Sequence, residues 1–307
     1  MKRFINFFII FVTLFFTIEF ILNRYLIFNT ISFSLNLWIN NIVPSLFPFF
    51  IMSDILINYN FTKYLPKPLL NIFSYLFHIK KEAVLVFLLS IISGFPSNAK
   101  ITRKMYDMKI LNEKEASHIL AFTHFSNPMF ILGTVSIFFF NKKNIGLIIL
   151  LSHYVSNIIV GILLRNNNLD IKPSNQIIIP KDYCFADVFI NAIKSAIDTI
   201  LLICGTLTCF LIMSTIIIHK FNFNEVFIKS ILEITIGLKE LSLYNLNDKH
   251  IIMLSSFIIS FGGISIHTQV KAQLLGTNIS IKPYLIGRLY QALISIPLAY
   301  IFYNLLT

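Results

Sequence analysis

Three short stretches of this chain set helix breakers and polar groups inside apolar sequence. "SGFPSNAK" follows the run "AVLVFLLSII" and gathers Gly94, Pro96, Ser97, Asn98 and Lys100. "FTHFSNPMF" gathers His124, Ser126, Asn127 and Pro128, and "SFGGISIHTQVK" gathers Gly262, Gly263, His267, Gln269 and Lys271. A half-helix that begins at such a break turns its unpaired N–H groups and the positive end of its dipole toward whatever lies beyond. Such an end attracts an anion. Pro96 suits a first helical turn, Ser97 and Asn98 can cap it, and Lys100 adds a positive charge in the same turn. The chemistry on offer is recognition of a carboxylate. The expected substrate-binding residues are Gly94, Ser97, Asn98, Lys100, Ser126, Asn127, Gly262, Gly263, His267 and Gln269.

Asp54, in "VPSLFPFFIMSDIL", and Glu233, in "LEITIGLKE", are acidic groups in apolar surroundings. A carboxylate at the centre of a membrane helix costs about 2.5–3.5 kcal/mol on the insertion scale, so both are candidate sites for a coupling proton or cation. Plainer roles stand beside these readings. The Lys100 stem can carry its ammonium to the surface. Asn98, Ser126, Asn127 and Gln269 can simply bond between helices, at about 0.6 kcal/mol each on average.

No enzyme class is read from the chain. It holds no GxxxxGK[ST], HExxH or GxSxG. Ser265 and His267 are two residues apart, a spacing that points them to different helix faces, and no third group completes a triad. Cys184, Cys204 and Cys209 form neither a CxxC pair nor a zinc spacing. Neither a metal nor a cofactor is expected.

The elements that must position these residues are membrane helices. Of 307 residues, 56% are hydrophobic and 13% charged, and the mean hydropathy is +0.77. Apolar windows recur at 4–22, 131–151, 145–164, 198–218, 251–266 and 284–306. Each approaches the roughly 20 residues that cross a bilayer as helix. No alternation of the kind found in membrane barrels occurs. The N-terminal apolar run exceeds a signal-peptide core of about 7–15 residues and lacks a small-x-small cleavage site, which predicts an uncleaved first helix. The net charge of +11 is scattered over almost every connection rather than gathered into a patch, so nucleic acid is not expected as a partner. The lipid bilayer is. No oligomeric state is read.

Gly94 to Asn112 is 18 residues, as is Gly262 to Ser280. Asn112 has Glu115 in capping-box spacing, and Ser280 is read as a second cap, before Pro283. Pro128 lies 34 residues beyond Gly94, and Pro297 lies 35 beyond Gly262. The expectation is an all-α polytopic membrane protein with broken or re-entrant helices and two related halves. Its parts are an N-terminal transmembrane anchor at 1–30, a first repeat at 31–165, a polar connection at 166–182 and a second repeat at 183–307. Broken-helix carriers favour inverted halves. With this pairing, inversion requires Asn112 and Ser280 on opposite sides.

The ordered blocks "VPSLFPFFIMSDIL", "SGFPSNAKIT", "EASHILAFTHFSNPMFILGTV", "LSHYVSNIIVGILLR", "EITIGLKELS", "FGGISIHTQVKAQL" and "RLYQALIS" resemble those of the YlbJ family. These are sporulation integral membrane proteins within the nucleoside-recognition (Gate) membrane group. The blocks cover most of the chain, about residues 40–295. The resemblance implies Gate-like repeats and a role in endospore formation. It also implies a place in the outer forespore membrane, which derives from the mother cell, and transport of dipicolinic acid into the spore. Dipicolinate, a small planar dianion, suits the carboxylate chemistry above. Two function classes are carried: a transporter or permease for this organic anion, and a non-transporting scaffold for spore cortex or coat assembly.

Overall fold

The computed structural model describes residues 2–166 and 184–307, so apart from Asn166 the polar connection at 166–182 lies outside the described residues. Every regular element among the described residues is helical. The chain runs through α1 (Lys2–Leu22), α2 (Arg24–Leu37), α3 (Val43–Asn58), α4 (Lys67–Phe77), α5 (Val84–Ser93), α6 (Ser97–Asp107) and α7 (Glu113–Leu120). A π-helical segment, Phe130–Phe139, precedes α8 (Lys143–Leu163). Then follow α9 (Phe185–Phe221), α10 (Glu225–Leu232), α11 (Ile234–Leu241), α12 (Asp248–Phe261), α13 (Gly263–Gln273) and α14 (Lys282–Leu306).

Six helical stretches are long and apolar enough to cross a membrane: Arg3–Leu22, Arg24–Asn58, Lys143–Leu163, Phe185–Phe221, Asp248–Gln273 and Lys282–Leu306. The fold is all-α and polytopic. The stretch Arg24–Asn58 corresponds to none of the apolar windows, because its asparagines and prolines dilute the run. A π turn at Trp38–Ile42 carries its helix into Pro44 and Pro48. The window at 131–151 divides instead into the π segment and the start of α8. On α1, Phe4, Phe7, Phe8 and Phe11 point outward, 58–74% exposed, as lipid-facing side chains do.

Long-range polar contacts define two ends of the bundle. At one end, Lys80 pairs with Glu115 at 3.0 Å. Ser280 N donates to Ser117 Oγ at 2.8 Å, Asn278 Nδ2 to Glu113 Oε1 at 2.9 Å and Arg103 Nη1 to the Leu275 carbonyl at 2.5 Å. At the other, Lys142 pairs with Asp248 at 2.5 Å, Lys229 with both Glu225 and Glu240, and Lys220 with Glu19. Helix α5 starts just after Lys80 and α6 ends beside Leu275, so α5 and α6 form a hairpin entering from the Glu115 end. Helices α10 and α11 form a second hairpin from the Asp248 end, clasped by Lys229. A Cβ at Gly237 would lie 2.5 Å from Ser230 Cα, so glycine is what lets these two arms close.

After each hairpin comes a broken crossing and then an unbroken one. In the first half the broken crossing is α7, an extended stretch and the π segment, followed by α8. In the second half it is α12 and α13, broken at Gly262, followed by α14. The two copies run in opposite directions, so the halves are inverted. The residue pairing expected from sequence is corrected. Asn112 and Ser280 lie at the same end, and the counterpart of Asn112 is Asn247, at the opposite end. Both asparagines are side-chain N-caps, with Asn112 in the full capping box with Glu115 and Asn247 accepting from His250 N. The N-cap position of α14 is Ile281 rather than Ser280, whose Oγ accepts from Lys282 N at 3.3 Å. Gly94, at a hairpin tip, corresponds to Glu233 at the other tip rather than to Gly262.

Candidate functional site

The two hairpin tips and the two helix breaks meet between the ends of the bundle. Gly94 has φ +75° and ψ −176°, a conformation open almost only to glycine, and a Cβ there would lie 2.6 Å from Asn127 N. Asn127 completes the join: its Nδ2 donates to the Ile92 carbonyl at 2.6 Å and its Oδ1 accepts from Met129 N at 2.7 Å. Phe95 stacks on His124 with centroids 4.6 Å apart. In the second half, Gly263 sits against Ile234 and the Ile231 carbonyl. Phe95, Ser126, Asn127, Glu233, Thr235 and Gln269 all line one cavity of about 30 Å³. Segments 94–96, 126–127, 233–235 and 262–269 thus approach one another, whereas Lys100 does not line this cavity.

Unwinding a helix frees backbone groups that need partners inside a membrane. In the first break these partners are side chains. Arg288, fully buried, donates through Nη2 to the Ala121 carbonyl at 2.8 Å and to Asn157 Oδ1 at 3.1 Å. Its Nη1 reaches the His124 carbonyl at 3.4 Å and also bonds Gln291. Ser126 N donates to His153 Nε2 at 2.9 Å, which leaves that nitrogen without a proton. Tyr154 Oη lies 2.9 Å from the Ser126 carbonyl and 2.8 Å from that of Ile91, bridging break and hairpin. Sequence reasoning missed Arg288, Gln291, His153, Tyr154 and Asn157 as site residues. The available signal was polar spacing in apolar sequence: Arg and Gln three apart in "RLYQ", and His and Asn four apart in "SHYVSN".

In the second break, Glu233 ends α10 and caps α11. Its Oε2 accepts from Ile236 N at 2.9 Å and its Oε1 from Thr235 Oγ1 at 3.1 Å. Gln269 Nε2 donates to Thr206 Oγ1 at 2.8 Å. His267 bonds Tyr284 Oη through Nδ1 at 3.0 Å and is not among the residues lining the cavity. Gly262 and Gly263 both have positive φ and provide the backbone turn of the break.

The residues expected around Lys100 lie elsewhere. Pro96, not Ser97 or Asn98, is the N-cap of α6, without a side-chain cap bond. Asn98 is fully buried, and its side-chain atoms meet no hydrogen-bond partner among the described residues. Lys100 and Asp54 pair at 2.7 Å in a separate open groove of about 920 Å³, also lined by Arg103, Lys104, Lys194 and Asp198. Groove and cavity adjoin: Leu202 lines the first and Ile203 the second on α9, while Gln273 and Gln269 do the same on α13.

No family model matches the chain, and no solved structure matches it. The sporulation integral membrane protein YlbJ of Bacillus subtilis (strain 168) is 27% identical over 296 residues, covering 84% of this chain and 72% of that protein. The extent of this similarity supports membership of the YlbJ family. Like that relative by its name, it is an integral membrane protein, and its six long apolar helices make it multi-pass. The match spans too much of the length to rest on a single apolar segment.

Proposed function

We propose that this chain is a secondary transporter or permease that moves a small organic dianion, of which dipicolinate is the example, rather than transforming it. The observation that carries the reading is the meeting of two oppositely directed hairpin tips and two helix breaks at one small cavity that holds Glu233. Broken segments paired across inverted halves are the arrangement that lets a carrier bind at mid-depth and open alternately to either side. The groove supports an anionic substrate, since Lys100, Arg103, Lys104 and Lys194 outnumber Asp54, Asp107 and Asp198 along its walls. A dianion held in this groove, which has room for it, meets an excess of positive charge beside the tips. The B. subtilis relative is named for sporulation, and we extend that setting to this chain, with the outer forespore membrane as its place.

The test is uptake of labelled dipicolinate by vesicles that contain only the purified protein. Saturable uptake above that of protein-free vesicles is expected. Uptake no faster than in protein-free vesicles, by protein shown to be folded, would leave the scaffold for cortex or coat assembly as the better reading.

A further inference from the structure

Glu233 is 3% exposed, and its carboxylate accepts from one amide and one hydroxyl, with no lysine or arginine in ion-pair contact among the described residues. Breaking or omitting the partner of a buried charge costs several kcal/mol, so such a group either holds a proton or needs a positive partner. Besides Glu233, the polar residues lining the cavity are Ser126, Asn127, Thr235 and Gln269, all oxygen or amide groups, set among apolar side chains. Ser126 supplies an independent sign. Ser126 lines the same cavity, and its Oγ is fully buried and has no hydrogen-bond partner among the described residues.

Size and charge then narrow the ligand. One water needs roughly 10–15 Å³ by this kind of measure. A cavity of about 30 Å³ thus takes a small ion with at most a water, and not an aromatic dianion. Hard oxygen donors suit alkali and alkaline-earth cations rather than transition metals. A single carboxylate balances one positive charge, whereas calcium takes 6–8 oxygens, commonly with several carboxylates. We infer that Glu233, Ser126 and their cavity neighbours bind a sodium ion. Its physiological role rests on the transport reading above: an ion held by Glu233 of one half and Ser126 of the other favours the state in which hairpin tip and break are together.

The experiment uses the purified full chain in detergent, with radioactive sodium binding and thermal midpoints measured in sodium, potassium and choline chloride at equal ionic strength. Sodium should bind saturably and raise the midpoint, as any ligand of the folded state does, while choline should not. Glu233→Gln should abolish both effects. Ser126→Ala, which removes an atom with no protein partner, should fold and weaken sodium binding by about tenfold, and it reads the same point should Glu233→Gln fail to fold. Equal midpoints in sodium and choline with no saturable binding, or binding unchanged in Ser126→Ala, would overturn the assignment. So would a midpoint that follows pH but not sodium and loses that response in Glu233→Gln, which is the signature of a proton site. Dipicolinate uptake without sodium binding would refute this inference alone, and sodium binding without uptake would refute the transport reading alone.

Discussion

Lys100 Nζ lies 2.7 Å from Asp54 Oδ2, and Lys104 Nζ, one turn further along α6, lies 3.1 Å from Oδ1 of the same carboxylate. One acidic side chain of α3 thereby holds two lysines of the first hairpin. The lysines are not free anion receptors while this clasp is closed. They become so only if an incoming carboxylate competes with Asp54.

The clasp makes the two sides of the pair unequal. Asp54→Asn leaves two neighbouring ammonium groups without a counter-charge and should lower stability by about 3 kcal/mol, the cost of removing one member of a buried pair. Lys100→Gln leaves Asp54 still paired with Lys104 and should cost clearly less. Thermal midpoints of the two variants in one detergent check this order. Equal losses would mean that Lys104 does not share the carboxylate.

Gly94→Ala should be the most damaging alanine substitution at a glycine of the first half. The new Cβ would lie 2.6 Å from Asn127 N, and the backbone conformation itself costs a non-glycine residue roughly 1–3 kcal/mol. Gly133→Ala meets nothing within 4 Å and is the control. A large fall in midpoint and in dipicolinate uptake is expected for the first and neither for the second. Parental uptake by Gly94→Ala would show that the hairpin tip need not seat against Asn127.

Much of this arrangement was legible in single residues. The Asn112 capping box follows from cap chemistry, the interruptions at Gly94, Ser126, Glu233 and Gly262 are visible as breakers and polar groups in apolar sequence, and inversion was expected by analogy with broken-helix carriers. The pairing of the halves was not. "SGFPS" and "SFGGI" look alike as sequence, yet at Gly94 the chain turns back and at Gly262 it continues across. A glycine of positive φ permits either course, and long-range contacts decide between them: Lys80–Glu115 fixes the start of α5, and Arg103 with the Leu275 carbonyl fixes the end of α6, at one end of the bundle. Arg288 was missed for a related reason. An arginine in an apolar helix is usually read as reaching for the interface, and its true acceptors are carbonyls of a distant segment that no local pattern reveals.

Topology offers a direct check on the inversion. In a cysteine-free background, single cysteines at Lys114 and Lys249 should react with a membrane-impermeant thiol reagent from opposite sides. A cysteine at Thr277 should react from the same side as Lys114, because Asn278 and Ser280 bond Glu113 and Ser117. Labelling of Lys114 and Lys249 positions from one side would make the halves parallel and remove the alternating-access argument.

Arg288 yields the sharpest test of how the first break is held. Its guanidinium reaches the carbonyls of Ala121 and His124 and the Asn157 side chain, and no carboxylate pairs with it among the described residues. Hydrogen bonds from a charged donor contribute about 1.5–3 kcal/mol each, and they offset the cost of keeping this charge buried. Lysine retains the charge but is a single compact ammonium that cannot serve acceptors spread across a fork. Methionine loses the bonds and the buried charge together. Arg288→Lys should therefore be less stable than Arg288→Met, although lysine is chemically the nearer substitute. In both, amide hydrogen exchange across residues 121–127 should speed up while α12 stays protected, and dipicolinate uptake should fall with it. If Arg288→Lys keeps parental exchange in that segment, the carbonyls there are held by His153 and Tyr154 alone, and Arg288 has no part in fastening the break.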